Sequence, residues 1–356
     1  SLHDALPILG PIPVSEYMAL CLFDPRDGYY TTREPFGTKG DFTTAPEISQ
    51  MFGELVAVWL YEAWLAIGKP MPVTVAEIGP GRGTLMKDML RTLSRLDGEF
   101  IAAAAFAMVE TSPRLTEIQK KTLAGAQAAL GWHENVGTLA KTPLLIVGNE
   151  LFDAIPIRQF VRTEKGWRER MIGLDDNDRL SFFAGAASLD PSLLPDDAAD
   201  APQGAVVELA PARTALMTTV AAHIAKHGGA GLFIDYGYLR PGVGDTLQAL
   251  RKHRHDEVLA SPGEADLTTH VDFAALAAAA RVQGLDTRTA TQGAFLLGMG
   301  LLERAGQLGA GAGEALRKKI SGEVERLAGP QAMGELFKVL AVMPVGASIV
   351  PFRTTH

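Results

Sequence analysis

Four short, mainly apolar runs punctuate the first two-thirds of the chain: Val73 to Ile78, Phe106 to Val109, Leu144 to Val147 and Gly231 to Ile234. Runs of this length without polar alternation predict strands buried on both faces of a sheet. The stretches between them follow a different period. Phe52, Leu55, Val56, Trp59, Leu60 and Ala63 recur at spacings of three and four and predict a helix over Glu47 to Trp64, entered at Pro46. Leu85, Met89, Leu90 and Leu93 place a second helix directly after Gly83. Ser112 is suited to cap a third, with Pro113 at its first position. From Val271 the pattern returns to helices, with late strands expected at Leu285 to Ala290 and Leu336 to Val342. Apolar strands alternating with helices predict an α/β fold, a mostly parallel, doubly wound sheet covered on both faces.

One region breaks this rhythm. Arg158 to Arg162 and Arg168 to Ile172 flank Thr163-Glu164-Lys165-Gly166, so Ile157 to Leu174 reads as an inserted β-hairpin. Asp175 to Gln203, rich in Asp, Pro and Ala, reads as a surface excursion. The expected organisation is an N-terminal helical and loop cap over 10–70 and a ligand-binding core over 71–260, with the insertion at about 157–203. Helices and final strands over 261–356 would complete the sheet.

Composition narrows the classes. With 47% hydrophobic and 21% charged residues, the 356-residue chain can bury a sizeable core. A net charge of -8 and a densest basic run of only Arg251 to His255 argue against a nucleic-acid substrate. The single cysteine, Cys21, lies in the apolar run Met18 to Phe23 and reads as a buried small hydrophobe, compatible with a reducing compartment. No run approaches the ~18 apolar residues of a membrane span, and the first residues carry no secretion signal. The Ala- and Gly-rich composition suggests a bacterial cytoplasm, or the mitochondrial matrix for a eukaryotic chain.

The chemistry-bearing motif is Val75-Ala76-Glu77-Ile78-Gly79-Pro80-Gly81-Arg82-Gly83, a strand feeding a Gly-rich turn that opens a helix. Such turns admit a ligand close to the backbone and offer free N–H groups. Dinucleotide sites space their glycines as G-x-G-x-x-G. Here the third glycine comes one residue earlier, after Glu77, which suits S-adenosylmethionine better. Glu110 ends the next strand, at the same sheet edge, where a carboxylate can accept both ribose hydroxyls. Asn149, Glu150 and Asp153 end the following one, where a reacting centre would sit.

These residues belong to a longer series. Gly10-Pro11-Ile12-Pro13, Asp24-Pro25-x-x-Gly28-Tyr29-Tyr30 and Gly40-Asp41-Phe42-x-Thr44-Ala45-Pro46-Glu47 open it. Glu77-x-Gly79-x-Gly81-x-Gly83, Asn149-Glu150-x-x-Asp153-Ala154 and Asp235-Tyr236-Gly237 continue it. Gly263-Glu264-x-Asp266-x-Thr268, Thr291-Gln292-Gly293 and Met333-Gly334-x-x-Phe337-Lys338 complete it. The whole resembles the MidA-like methyltransferases, whose mitochondrial members are assembly factors for respiratory complex I. The resemblance implies a Rossmann-like class I methyltransferase fold and S-adenosylmethionine as cofactor, held by Glu77, Gly79, Gly81, Gly83, Glu110 and Asn149. Asp41, Thr44 and Pro46 would form a lid over it. It further implies symmetric dimethylation of an arginine on a protein partner, a subunit of NADH:quinone oxidoreductase. Glu150 would orient the guanidinium, supported by Asp153 and Asn149. His253, Asp266, His270 and Asp272 are spaced too loosely to suggest a metal site. The competing readings are a nicotinamide dehydrogenase, a non-catalytic assembly chaperone that kept the fold, and a small-molecule methyltransferase.

Overall fold

The computed structural model describes residues 10–32, 44–251 and 254–352. The chain divides into two compact units that interleave along the sequence, one of 1–42, 152–215 and 240–274, the other of 43–151, 216–239 and 275–356.

The second unit is built on a twisted sheet. Its strands are β1 (Thr74–Ile78), β2 (Ala105–Val109), β3 (Ala129–His133), β4 (Leu144–Asn149), β5 (Gly229–Tyr238), β6 (Asp286–Thr291) and β7 (Phe337–Met343). They lie in the order β3-β2-β1-β4-β5-β7-β6. The pairs from β3 to β5 are parallel. β7 runs antiparallel to both β5 and β6. Chain order reverses between β1 and β4, and ligands of open α/β sheets bind at such a switch point, beyond the strands' carboxyl ends. Every residue of β1 and β4 is buried, the polar Thr74, Glu77 and Asn149 included.

Helix α1 (Gln50–Ala66) packs on β4, β5 and α2 (Thr84–Leu96). Phe52, Val56 and Trp59 of α1 join Val75, Leu145, Leu232 and Val339 of the sheet in one core. The single helix expected over Glu47 to Trp64 is two. A short turn, Ala45–Ile48, stops at Ser49, which is extended (φ -155°) and accepts the Met51 N–H to start α1. α2 buries Leu85, Met89, Leu90 and Leu93, the stripe its sequence shows. Helix α3 (Pro113–Thr122) has Ser112 accepting the Leu115 N–H and Pro113 at its first position. The helices Gln292–Gly298, Leu301–Gly309 and Glu314–Ala328 pack on one another, and Gln292–Gly298 also rests on β7.

The other unit is antiparallel. The hairpin forms from Arg158–Thr163 and Gly166–Leu174, turning at Gly166, whose φ of 89° suits a residue without Cβ. Ile12–Pro13 and Leu180–Ser188 pair with the second arm, and Val206–Leu209 with the first. Asp175 to Gln203 is therefore not merely an excursion. Asp175 closes a tight turn by accepting from Asn177 and Arg179, and this returns the chain as the strand Leu180–Ser188. Val14, Tyr17, Met18 and Leu22 of the helix Val14–Phe23 meet Ile157, Ile172, Leu247 and Leu267 in this unit's core. Cys21 is buried there, and burial pushes its thiol up to about 11.

Candidate cofactor and methyl-transfer site

The Gly-rich turn follows β1 at the switch point. Gly79, Gly81 and Gly83 have φ of 66°, 50° and 80°, a left-handed course that side chains resist. At Gly79 a Cβ would also lie 2.8 Å from Leu151 Cδ1. Gly83 opens α2, whose first turn presents its backbone N–H groups to the site. One of them, from Met86, is given to Glu77. Glu77 is buried in β1 and its Oε2 has no partner. Burial, reinforced by the neighbouring charge of Glu110 and opposed by the Met86 N–H, pushes its carboxyl up to about 8.

Glu110 follows β2. Its Oε1 accepts the Ser112 N–H at 2.8 Å and its Oε2 accepts from the Gln119 amide at 3.0 Å. Burial raises its carboxyl above the usual range, against those two bonds. Asn149 ends β4. Its Nδ2 donates to Glu150 Oε1 at 3.0 Å, while its own Oδ1 is buried without a partner. A buried acceptor left open costs stability unless a ligand donor reaches it. The glycine cradle and the open oxygens of Glu77 and Asn149 fit a ligand rich in donors, as the amino-acid and nucleoside ends of S-adenosylmethionine are.

Glu150 adopts φ 51°, a left-handed conformation uncommon for a residue with Cβ. Its N–H donates to Ile234 O of β5 at 2.9 Å, and its Oε1 accepts the Ala45 N–H at 3.1 Å. Strain of this kind persists where surrounding bonds over-determine it, and it gathers at functional positions. Thr44, Ala45 and Pro46 thus stand beside Glu150, with Ala45 and Pro46 buried. Glu47 pairs with Arg82 of the Gly-rich turn at 3.5 Å. The entry segment is tied to Glu150 and to the Gly-rich turn; Asp41, also expected in the lid, lies outside the described residues.

Asp153 belongs to the other unit, where it is buried. Its Oδ1 accepts the Ala154 N–H, and its carbonyl accepts from Arg213 and from the Thr269 N–H. Arg213, buried in spite of its charge, also donates to Ile155 O, His270 O and the Thr269 hydroxyl. Tyr30 donates to Asp266 Oδ2 in the same unit. His253, of the polar cluster, lies outside the described residues, among which no group of three metal-binding side chains occurs. The sequence reading missed Gln119 and Arg213. A glutamine in an amphipathic helix and an arginine near a proline carry no local mark of burial.

Residues 55–291 match a family described as S-adenosyl-L-methionine-dependent methyltransferases. Among curated proteins, the mouse mitochondrial protein arginine methyltransferase NDUFAF7 is 35% identical over 361 residues, 94% of this chain and 81% of that one. Its zebrafish counterpart is 34% identical over 357 residues, 94% of this chain and 84% of that one. A solved Burkholderia thailandensis protein bound to S-adenosyl-homocysteine superposes with a TM-score of 0.85 at 29% identity. That match covers 99% of this chain and 94% of the other.

Proposed function

Because the chain belongs to the S-adenosyl-L-methionine-dependent methyltransferase family, we propose that it methylates an arginine side chain of a protein substrate. Its cofactor is S-adenosyl-L-methionine. Among the residues proposed to hold it, Glu110 takes the ribose hydroxyls, and the turn Gly79-Gly81-Gly83 accepts the cofactor against its backbone. Glu77 and Asn149 meet the cofactor's donors, and Asp41, Thr44 and Pro46 cover it.

The observation that carries the reading is Glu150. A carboxyl side chain, on a left-handed backbone, is fixed by Asn149 and Ala45 at the same sheet edge as the Gly-rich turn. When bound, the cofactor supplies an activated methyl group on sulfonium. The substrate guanidinium nitrogen forms the new N–C bond, the C–S electron pair stays with sulfur as S-adenosyl-homocysteine, and one N–H proton is released. An arginine is fully protonated in water. A carboxylate must therefore orient the planar guanidinium and accept the developing proton, and both roles are proposed for Glu150, with Asp153 as a supporting residue. Alignment of the nitrogen with the methyl carbon supplies most of the acceleration, of order 7–11 kcal/mol in well-oriented systems.

The relatives' names support a protein arginine as acceptor. The resemblance to MidA-like proteins points further, to symmetric dimethylation of a subunit of NADH:quinone oxidoreductase during assembly. The compartment would then be the one where that enzyme is assembled, bacterial cytoplasm or mitochondrial matrix. Among the described residues no helix is long and apolar enough to cross a membrane. The test is to incubate the chain with methyl-labelled cofactor and separated dehydrogenase subunits, and to map label by mass spectrometry. Label on arginine, absent with Glu150→Gln, is expected. Label on no protein, with cofactor binding intact, would overturn the reading in favour of an assembly chaperone or a small-molecule enzyme.

A further inference from the structure

Gln119 of α3 is completely buried, and both polar atoms of its amide are engaged. Nε2 donates to Gly81 O at 2.9 Å and to Glu110 Oε2 at 3.0 Å, and Oε1 accepts the Trp132 indole N–H at 3.1 Å. The reversed amide would set oxygen against a carbonyl and a carboxylate, so these three partners fix its orientation. The helix also packs directly on the turn, with Gln119 Cγ and Cα 3.5 and 3.6 Å from where a Cβ on Gly83 would stand.

We propose that Gln119 is a positioning residue for the cofactor, its amide joining the Gly-rich turn to the carboxylate of Glu110 so that both parts of the site are held as one piece. The inference rests on the reading of Glu110 as the ribose acceptor. The mechanism is local. In a trans peptide the carbonyl and the following N–H point opposite ways, so a fixed Gly81 carbonyl fixes the Arg82 N–H facing away from Gln119. With Ser112 on one oxygen and Gln119 on the other, the plane of the Glu110 carboxylate is set. The amide also favours the charged carboxylate, which burial opposes. The flanking group on β3 is His133, whose carbonyl accepts the Glu110 N–H and whose ring faces the Thr138 hydroxyl at 3.2 Å.

The test is calorimetric binding of S-adenosyl-homocysteine to the full chain between pH 5 and 8, comparing wild type, Gln119→Met, Gln119→Glu and Glu110→Ala. A carboxylate must be ionised to accept two hydroxyls, so affinity falls as pH drops through its titration. Loss of one charge-assisted hydrogen bond should weaken binding about ten-fold at the acid end and move the acid limb up by about one pH unit. Gln119→Glu keeps the acceptor for Trp132 but faces Glu110 with a second carboxyl, and should move the limb at least as far. In the Glu110→Ala background, Gln119→Met should leave the pH profile unmoved. A uniform loss of affinity with an unmoved limb in both Gln119 variants, while Glu110→Ala weakens binding, would overturn the positioning role and leave the ribose reading standing. Unchanged affinity in Glu110→Ala would overturn the ribose reading and this inference with it.

Discussion

Glu150 Oε1 accepts the backbone N–H of Ala45 at 3.1 Å, a bond between positions 105 residues apart. The same oxygen accepts from Asn149 Nδ2 at 3.0 Å. The side chain proposed for the chemistry is thus also a bracket between β4 and the segment that enters α1, and the two duties separate by substitution. Glu150→Gln keeps an acceptor for Ala45 and removes the charge. Its melting temperature should stay within about 2 °C of wild type, with S-adenosyl-homocysteine affinity unchanged. Turnover should fall by roughly 10²–10⁴, the usual worth of a positioned acid–base group. Glu150→Ala leaves both donors without that acceptor and should also cost about 1–3 kcal/mol of stability. Equal melting temperatures for the two variants would remove the bracket; normal turnover in Glu150→Gln would remove the chemical role.

The buried Glu77 makes stability depend on pH in an unusual sense. Its folded carboxyl titrates at about 8, against an ordinary 4.5. Between those values the folded chain holds a proton that the unfolded chain has released. Stability from this group is therefore fully present below about 4.5 and is lost as pH rises towards 8. Glu77→Gln keeps the size and abolishes the titration. Cofactor-free wild type should lose stability between pH 5 and 8 relative to this variant, as read by denaturant midpoints at each pH. Parallel curves for the two proteins would show that Glu77 is ionised throughout.

Arg213 is 1% exposed and donates to three carbonyls, those of Asp153, Ile155 and His270, and to the Thr269 hydroxyl. A guanidinium spreads five N–H donors over three nitrogens, whereas a lysine ammonium carries three on a single nitrogen. Arg213→Lys should leave at least one buried acceptor open and cost about 1–3 kcal/mol, with loss of hydrogen-exchange protection around 153–155 and 269–270. A variant as stable as wild type would mean that water replaces the lost donors.

Much of the candidate site is legible in sequence because its rules are local. A strand, a Gly-rich turn and a helix stripe lie within Val75 to Leu93, and Ser112-Pro113 announces its own helix. What escaped is what tertiary contacts decide. β3 reads Ala129-Leu-Gly-Trp-His133 and is only partly buried, so it shows neither a continuous apolar run nor clean alternation. Leu180–Ser188 has no buried residue, is rich in Ala and Ser, and owes its strand to pairing with Gly166–Leu174. The break at Ser49 had a signal, a serine before a helical run, but the apolar spacing continues across it. Gln119 had none, since its partners Gly81, Glu110 and Trp132 come from three separate elements. The interleaving of the two units is likewise invisible to a reading that moves linearly along the chain.

Gly79 and Gly68 separate backbone strain from site geometry. Both have positive φ, 66° and 90°. A Cβ on Gly68 would meet nothing within 4 Å, whereas one on Gly79 would press on Leu151 Cδ1 at 2.8 Å, beside Glu150. Gly68→Ala therefore reports the conformational cost alone, about 1–2 kcal/mol, and should bind S-adenosyl-homocysteine as wild type does. Gly79→Ala carries the same cost and must also displace Leu151 or shift the turn proposed to hold the cofactor. It should lose stability beyond Gly68→Ala and lose cofactor affinity by at least about ten-fold, since small misplacements of a preorganised site are expensive. Calorimetric titration of the two variants decides the matter. Equal affinities would mean that Leu151 yields and that the turn tolerates the methyl group, and the close approach of cofactor to Gly79 would have to be abandoned.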